Sequence, residues 1–359
     1  MKSAVTGGGT LQLDIPYVRE YVQGNWDGFT GTLIANALNK GNLFLLNGKN
    51  IPNAVVVLKG GVQACGWDTE GNYTLGGLSG DAGTYLCGSS KKTDGFKCAW
   101  TIGGANTDET FRGIINNWSC SGSGHVGTVS ITKTGTGVWR LTGANEYSGT
   151  TTVKGGTLTV NGAHTGKGAV TVNAGATLAG TGSLAAPVTI KAGATIHSGD
   201  TLVLGRSALT LKGKLTVQSG GTISIPVSVA DPSAVKTNHL VLSGGASLAK
   251  ANIELDIQDA TSALNLPVGT ELKIFSPAST VTGTFGTITP ATPGTDKVWD
   301  TTDLLKKGIL RVAEDPSVGI GAVSADNPSS TAYDLSGKPS NGSKASRSIY
   351  IYNNKKVVR

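Results

Sequence analysis

The sequence predicts an all-β protein built as a solenoid of stacked turn-and-strand repeats. Glycine supplies 53 of the 359 residues, while charged residues make up only 15% of the chain. This mixture, with much Gly, Thr, Val and Leu and little Glu or Lys, disfavours helices and suits short strands joined by tight turns. A turn-plus-strand unit also recurs along the chain, which is typical of a repeat architecture.

The repeated unit is a glycine turn followed by a hydroxyl residue and an aliphatic residue. It occurs at residues 155–158, 175–178, 193–196, 220–223 and 245–248. The intervals between the first glycines of these units are 20, 18, 27 and 25 residues. Variable spacing around a constant unit is expected of solenoid rungs that differ by a loop or strand insertion.

Between the turns, aliphatic residues alternate with Thr, Lys, Ser or Asn. The alternating pairs are Leu158/Val160, Val170/Val172, Val188/Ile190, Leu202/Leu204, Leu209/Leu211, Leu215/Val217, Ile223/Ile225 and Leu240/Leu242. This period of two places each pair on one face of a strand. A lone rung cannot bury that face, whereas stacked rungs do, at about 1.5–3 kcal/mol per covered aliphatic side chain. An immunoglobulin-type sandwich would instead show about seven strands per domain without a repeated turn.

One stretch closely resembles the autotransporter-associated β-strand repeat. Residues 135–153 read Gly-Thr-Gly-Val-Trp-Arg-Leu-Thr-Gly-Ala-Asn-Glu-Tyr-Ser-Gly-Thr-Thr-Thr-Val, and the match continues to Gly162. Weaker copies lie at 73–80 and 100–113, and 299–312 looks like the segment that closes such arrays. The resemblance implies a right-handed parallel β-helix over roughly residues 5–313, exposed outside the cell, and supplies no catalytic residues.

The C-terminal residues resemble the sorting module of Bacteroidetes type IX secretion. The resemblance lies in Tyr333-Asp334-Leu335-Ser336-Gly337-Lys338 and in residues 349–359, predicted to be two strands joined by a polar turn. Ser348 and Asn354 stand where Gly is usual. The alternative is a hairpin that caps the edge of the solenoid. The resemblance implies outer-membrane secretion machinery as a partner.

Four segments follow from these patterns. Residues 1–128 are expected to form degenerate solenoid rungs with a cysteine-containing hairpin, and 129–313 the strand-repeat solenoid and its closing segment. Residues 314–331, rich in Pro, Ser, Asp and Gly, are expected to be a linker, and 332–359 the sorting-like tail. No charged region followed by an apolar stretch precedes the first turn, so we expect the chain to begin in the middle of a repeat array.

Four cysteines, Cys65, Cys87, Cys98 and Cys120, suggest two disulfides in an exported chain. Cys87 and Cys98 flank what resembles a hairpin loop, which favours Cys87–Cys98 with Cys65–Cys120. The 22-residue intervals also allow Cys65–Cys87 with Cys98–Cys120 between adjacent rungs, and buried thiols are a further alternative.

The sequence presents no catalytic constellation, metal motif or cofactor motif. The four histidines, His125, His164, His197 and His239, are isolated in sequence and are interpreted as surface residues. Trp100 and Trp139 are expected to fill the coil. Trp26, Trp67 and Trp118 are candidates for stacking on sugar rings, since core packing is the alternative for any buried indole.

Composition and motifs favour a structural stalk or adhesin-like body outside a Gram-negative cell. The alternative is an accessory or glycan-binding region of a secreted polysaccharide-degrading enzyme of the pectate-lyase type. The expected partners are a polysaccharide or a host-surface ligand. The net charge of +7 comes from basic residues scattered along the sequence, so no nucleic-acid partner is expected. No apolar run is long enough for a membrane helix, so no membrane insertion is expected.

Overall fold

The computed structural model describes residues 4–47, 50–67, 71–90, 93–120, 124–200, 208–231, 234–257, 259, 264–277, 279–317, 349–352 and 355–358. The strands before residue 120 are β1 (Thr10–Ile15), β2 (Arg19–Val22), β3 (Thr32–Ala37), β4 (Leu43–Leu46), β5 (Ile51–Lys59), β6 (Gln63–Gly66), β7 (Gly71–Gly80), β8 (Tyr85–Ser89), β9 (Lys97–Ile102), β10 (Glu109–Phe111) and β11 (Ile114–Ile115).

The middle of the chain contains a second set of strands, which are shorter on average. These are β12 (Thr128–Lys133), β13 (Val138–Leu141), β14 (Thr151–Val153), β15 (Gly156–Val160), β16 (Ala163–His164), β17 (Val170–Val172), β18 (Ala176–Gly180), β19 (Ser183–Leu184), β20 (Val188–Ile190), β21 (Thr195–Ser198), β22 (Ala208–Leu211), β23 (Leu215–Val217), β24 (Thr222–Ser228), β25 (Lys236–Thr237), β26 (His239–Leu242) and β27 (Ala246–Ile257).

From residue 264 onwards, the described residues contain seven strands and one helical turn. These are β28 (Glu271–Lys273), β29 (Phe275–Pro277), β30 (Val281–Thr289), β31 (Lys297–Asp300), α1 (Leu304–Lys307), β32 (Ile309–Glu314), β33 (Ile349–Tyr352) and β34 (Lys355–Val358). The predicted tail strand at 333–338 lies outside the described residues. The segment 349–358, predicted as a single strand, is instead an antiparallel hairpin formed by β33 and β34.

The solenoid has three parallel strips, because each middle rung contributes one strand to each strip and pairs with the next rung. Strip A contains β9, β12, β14, β17, β20 and β23, and strip B contains β10, β13, β15, β18, β21 and β24. Strip C contains β2, β4, β6, β8 and β11 in the first rungs and β16, β19, β22 and β26 in the later ones, and residues 145–146 connect the two groups by bonding to Ile115 and pairing with His164. Among the described residues, strips A and B form one sheet of 19 strands, because long strands such as β27 run through both. The predicted all-β parallel β-helix is therefore confirmed.

The aliphatic pairs predicted from period-two alternation form the core of the solenoid. Leu158, Val172, Ile190, Leu211 and Ile223 are all at most 1% exposed. The pair Leu202/Leu204 lies outside the described residues. Trp100 and Trp139 are also buried within the coil, and their indole N–H groups donate to the carbonyl oxygens of Cys87 (3.0 Å) and Leu78 (2.9 Å).

Four of the five predicted glycine turns stack at the corner between strips A and B. Gly175, Gly193 and Gly220 have φ between 72° and 81°. The backbone amide of each donates to the carbonyl oxygen of the corner residue in the next rung. The fifth unit, 245–248, was expected to align with them and does not. Ala246 pairs with Leu215, so this unit begins strip A at the opposite corner. The long strand β27 turns the A–B corner at Lys250 instead, with φ 48°.

An antiparallel cap follows the last rung. β32 pairs with β28 and β31 in a three-stranded antiparallel sheet, and α1 precedes β32. Leu304, Leu310 and Val312 are buried and join the core cluster that contains Phe275. This is the segment that the sequence predicts to close the array. On both sides of residue 128 the strands belong to the same sheet, since β9 pairs with β12 over six residues.

Candidate functional site

The outer surface of the first part of strip C carries a group of aromatic side chains. Here β2, β4, β6, β8 and β11 form a five-stranded parallel sheet. Alternate residues such as Phe44, Ala64 and Leu86 enter the main core, which leaves their neighbours on the outer side of this sheet. We call the outer residues Arg19, Tyr21, Trp67, Tyr85 and Trp118 the aromatic face.

One end of the aromatic face is a cation–π cluster. The rings of Tyr21 and Trp67 meet edge to face, with centroids 4.8 Å apart and an interplanar angle of 84°. The guanidinium carbon of Arg19 lies 5.1 Å from the Trp67 ring and 6.0 Å from the Tyr21 ring. These contacts hold the indole in a fixed orientation at the surface.

The other end of the aromatic face presents an accessible indole. Trp118 is 52% exposed and stacks on Tyr85, with centroids 6.4 Å apart and an interplanar angle of 27°. The backbone amide of Trp118 donates to the side-chain oxygen of Asn116 at 3.1 Å, and Gly88 donates to the Trp118 carbonyl at 3.2 Å. The backbone beyond β11 is therefore fixed beside β8.

A disulfide lies beneath these rings. The structure joins Cys65 to Cys120, as the favoured connectivity requires. Both sulfurs belong to a small apolar cluster outside the main core, whose buried members are Leu43, Leu45, Cys65, Cys87 and Cys120. Tyr21, Trp67 and Tyr85 pack against this cluster. The disulfide thus ties the segment that carries Trp118 to β6, across β8.

The predicted Cys87–Cys98 disulfide is wrong. Both residues are buried thiols, and their side chains belong to different clusters: Cys87 to the outer cluster and Cys98 to the main core. The expected hairpin loop between them is wrong too, because β8 lies in strip C whereas β9 lies in strip A. Burial raises the pKa of the Cys87 thiol to about 12, so it is not nucleophilic at neutral pH.

Trp26 is not part of the aromatic face. It is 3% exposed, packs edge to face on Phe29 with centroids 5.7 Å apart, and donates its indole N–H to the carbonyl of Gln23 at 2.9 Å. No face of this ring is open to a sugar, so the predicted role of Trp26 is wrong. The structure brings the other two candidates, Trp67 and Trp118, to one surface.

The interpretation of all four histidines as surface residues is wrong for His164. This residue is 3% exposed, stacks on Tyr147 with centroids 4.3 Å apart, and its Nδ1 lies 3.3 Å from the carbonyl oxygen of Asn145. Burial lowers the pKa of the His164 imidazole. His125 lies 3.2 Å from Asp94, and His197 lies 3.0 Å from the Gly199 carbonyl.

No group of three or more His, Cys, Asp or Glu side chains in the described ranges is placed to hold a metal ion. Likewise, none of the described helical residues forms a helix long and apolar enough to cross a membrane. Arg19, Tyr21 and Tyr85 complete the aromatic face, and none of the three was predicted from the sequence. In the sequence, these residues are marked only by their outward positions in short strands. To see that they lie side by side, one must know how four neighbouring rungs pair.

Comparison with known families gives a match in the middle of the solenoid. Residues 131–160 match the model of the passenger-associated-transport-repeat family. The matched segment runs from β12 to the end of β15 and includes β13 and β14. The match supports the autotransporter-repeat resemblance and indicates a passenger-like β-solenoid that is secreted or surface-exposed. Repeats of this family are generally structural rather than catalytic. No curated protein matches the chain.

Proposed function

We propose that this chain is a structural stalk or adhesin-like body outside a Gram-negative cell, without catalysis of its own. The observation that carries the proposal is the main core cluster, which runs from Ile15 in the first rung to Val312 in the closing cap. Each rung is stabilised mainly by its neighbours, so such a body gains length by adding rungs. Length and rigidity are what a stalk requires.

Deleting one rung tests the structural role. Removal of residues 174–191 joins Asn173 to Ala192, which begins an equivalent glycine turn, because β18 pairs in register with β21. We expect this variant to keep its strand-rich circular dichroism and its display on cells that produce it. Removal of 174–182, half a rung, should abolish folding. Folding of both variants, or of neither, would contradict a body made of interchangeable rungs.

A second proposed function, binding of a neutral glycan, rests on the aromatic face. Sugar rings stack on exposed indoles, and Trp118 offers such a ring beside the ordered Tyr21–Trp67 pair. This would suit an accessory region of a polysaccharide-degrading enzyme as well as an adhesin. A glycan array probed with the whole chain tests it, and Trp118→Ala should lose the signal. Val126→Ala, which alters an exposed neighbour on the same loop, should keep it. A signal unchanged by Trp118→Ala would exclude this face.

The tail is proposed to address the chain to outer-membrane secretion machinery of the type IX kind. The hairpin of β33 and β34 supports a folded C-terminal module. In a host with that machinery, deletion of residues 332–359 should leave the chain inside the outer membrane, whereas the 174–191 deletion should still reach the surface. Equal export of both variants would remove this proposal.

A further inference from the structure

A continuous column of hydroxyl groups runs along the outer surface of strip A. Backbone pairing aligns one Thr or Ser from each of nine successive rungs in the same register. We call this column the hydroxyl ladder, and its members are Thr74, Thr101, Thr132, Thr152, Thr171, Thr189, Thr216, Ser247 and Thr282. Because adjacent strands are about 4.8 Å apart, the ladder extends for about 38 Å.

The hydroxyl ladder faces solvent. In β17, Val170 and Val172 are buried on either side of Thr171, which is only partly buried. The same pattern holds in β14, β20 and β23, where Thr152, Thr189 and Thr216 lie between buried neighbours. A threonine hydroxyl both donates and accepts hydrogen bonds, so the ladder offers regularly spaced partners to an extended ligand.

Lysines border the ladder at both corners of strip A. Lys154 and Lys191 occupy the A–B corner two rungs apart, hence about 10 Å apart along the axis. Lys167, Lys212 and Lys214 lie at the opposite corner. All five side chains are exposed, and within the described part of the chain none has an ion-pair partner within 4.0 Å.

Acidic residues are almost absent from these rungs. Residues 147–230 contain Lys154, Lys167, Lys191, Arg206, Lys212 and Lys214 but only one carboxylate, Asp200. That carboxylate is paired elsewhere, because Asp200 accepts from Arg140 at 3.0 Å and from Asn161 at 2.6 Å, both at or next to strip B. The positive potential over the ladder is therefore not neutralised by the protein itself.

We propose that the hydroxyl ladder and its lysines form a docking site for a linear acidic polysaccharide that lies along the solenoid axis. The lysines pair with carboxylate groups of the polymer, and the threonines exchange hydrogen bonds with its hydroxyl groups. Nucleic acid is disfavoured, because residues 148–155, 165–175, 185–193 and 212–220 contain no aromatic ring on which a base could stack. This site is separate from the aromatic face and goes beyond a purely structural role.

Binding of the whole chain to polygalacturonate, measured by biolayer interferometry, tests the site. Wild type should bind polygalacturonate and not uncharged dextran, with affinity that falls as salt rises. The triple variant Lys154→Gln, Lys191→Gln, Lys214→Gln should lose about tenfold in affinity. The matched control Lys40→Gln, Lys59→Gln, Lys306→Gln removes the same charge from exposed positions elsewhere and should change affinity by less than about twofold.

A second variant separates the ladder from the charge. Thr171→Val with Thr189→Val keeps the β-branched shape and should weaken binding without changing its salt dependence, since no charge is removed. If the Lys154/Lys191/Lys214 variant and the Lys40/Lys59/Lys306 control lose affinity equally, the proposal is overturned, because the loss would then reflect net charge alone. Absence of polygalacturonate binding at low salt, equal binding of dextran, or tighter binding of single-stranded DNA would overturn it as well.

Discussion

The rungs before residue 128 and the rungs after it form one sheet but are stabilised differently. The first region places a second apolar cluster, a disulfide and several aromatic rings on the outer surface of strip C. The second region has no cysteine, and its outer surface carries threonines and lysines, while strip C buries Asn145 and His164. Both regions bury aliphatic residues inside the coil.

The difference shows that the coil constrains the inward positions and the glycine corners, where a side chain at Gly162 or Gly213 would meet the backbone of the preceding rung. Outward strand positions vary without cost to the stacking, so each region can carry a different surface. In the first region, the irregular rungs around β5 and β7 contain register shifts, and the disulfide compensates by fixing the outer segment. In the second region, the rungs from β12 to β21 repeat every 18 to 20 residues and contain no such link, although the pairing of β27 with β30 also shows register shifts.

The largest expected loss of stability is that of Trp139→Ala, which removes a side chain packed where the two regions meet. Trp139 lies in β13 and is 1% exposed, and its indole donates to the Leu78 carbonyl in β7 at 2.9 Å. The substitution leaves a cavity and a buried carbonyl without that donor, so the free energy of unfolding should fall by about 4 kcal/mol. Urea denaturation followed by circular dichroism measures it. Trp118→Ala, at an exposed ring, should cost less than about 1 kcal/mol; equal losses would contradict the assigned burial.

Removal of the disulfide should affect one region only. Cys65→Ala with Cys120→Ala opens a link across 55 residues, and the first region should lose about 3 kcal/mol. Hydrogen exchange should show faster exchange in β6, β8 and β11 and unchanged exchange in β17 to β23. Cys98→Ala is the matched control, because it alters a buried thiol without opening the link. Faster exchange throughout the solenoid would mean that the two regions unfold as one unit.

Sequence patterns predicted the coil well, because its inward residues obey a local rule. Alternation identified Leu158, Val172 and Leu211 as core without any knowledge of their neighbours. The corner residues do not obey such a rule. The expected alignment of the 245–248 unit failed because β27 passes through two strips and turns at Lys250 rather than at a glycine.

Surface sites were harder to predict because they depend on the exact length of each rung. Lys154 and Lys191 are 37 residues apart and appear scattered in sequence, yet pairing of β14, β17 and β20 places them in one column. Tyr21 and Trp67 are 46 residues apart in sequence and contact each other for the same reason. The cysteine pairing failed in part because Cys87 and Cys98 lie on strands of different strips, a distinction that spacing alone does not make.

A buried lysine at the start of the second region should make stability depend on pH above neutrality. Lys133 is 1% exposed, and its ammonium donates to the carbonyls of Thr134 (2.5 Å), Gly135 (3.3 Å) and Gly155 (3.2 Å). Burial lowers the pKa of Lys133 from 10.5 to about 8, and the negative charge of Asp108 offsets part of this shift. Between these two pKa values the unfolded chain binds more protons than the folded chain, so the free energy of unfolding rises with pH.

Chemical denaturation at pH 7.5 and at pH 9.5 measures this rise, which should be about 2 kcal/mol. Lys133→Met should remove it, because the variant has no proton to release at this position. Lys154→Met, at an exposed lysine on the next rung of strip A, should retain the wild-type rise. A rise that persists in Lys133→Met would assign the titration to another group.

The smallest of the four effects is expected below neutrality, from His164 in the interior of the second region. Its pKa is lowered, chiefly because burial penalises the charged imidazolium, although the hydrogen bond to Asn145 partly opposes the shift. The group is neutral in both states above its ordinary pKa of 6.5, and stability declines as pH falls through that value, because the unfolded chain then binds the proton first. His164→Gln should reduce the decline in thermal midpoint between pH 7 and pH 5.

His239→Gln should also reduce this decline, since burial and Lys273 lower the pKa of His239. His125→Gln is the matched control at a more exposed ring beside Asp94, and a decline removed by this variant instead would show that the acid response belongs to the first region.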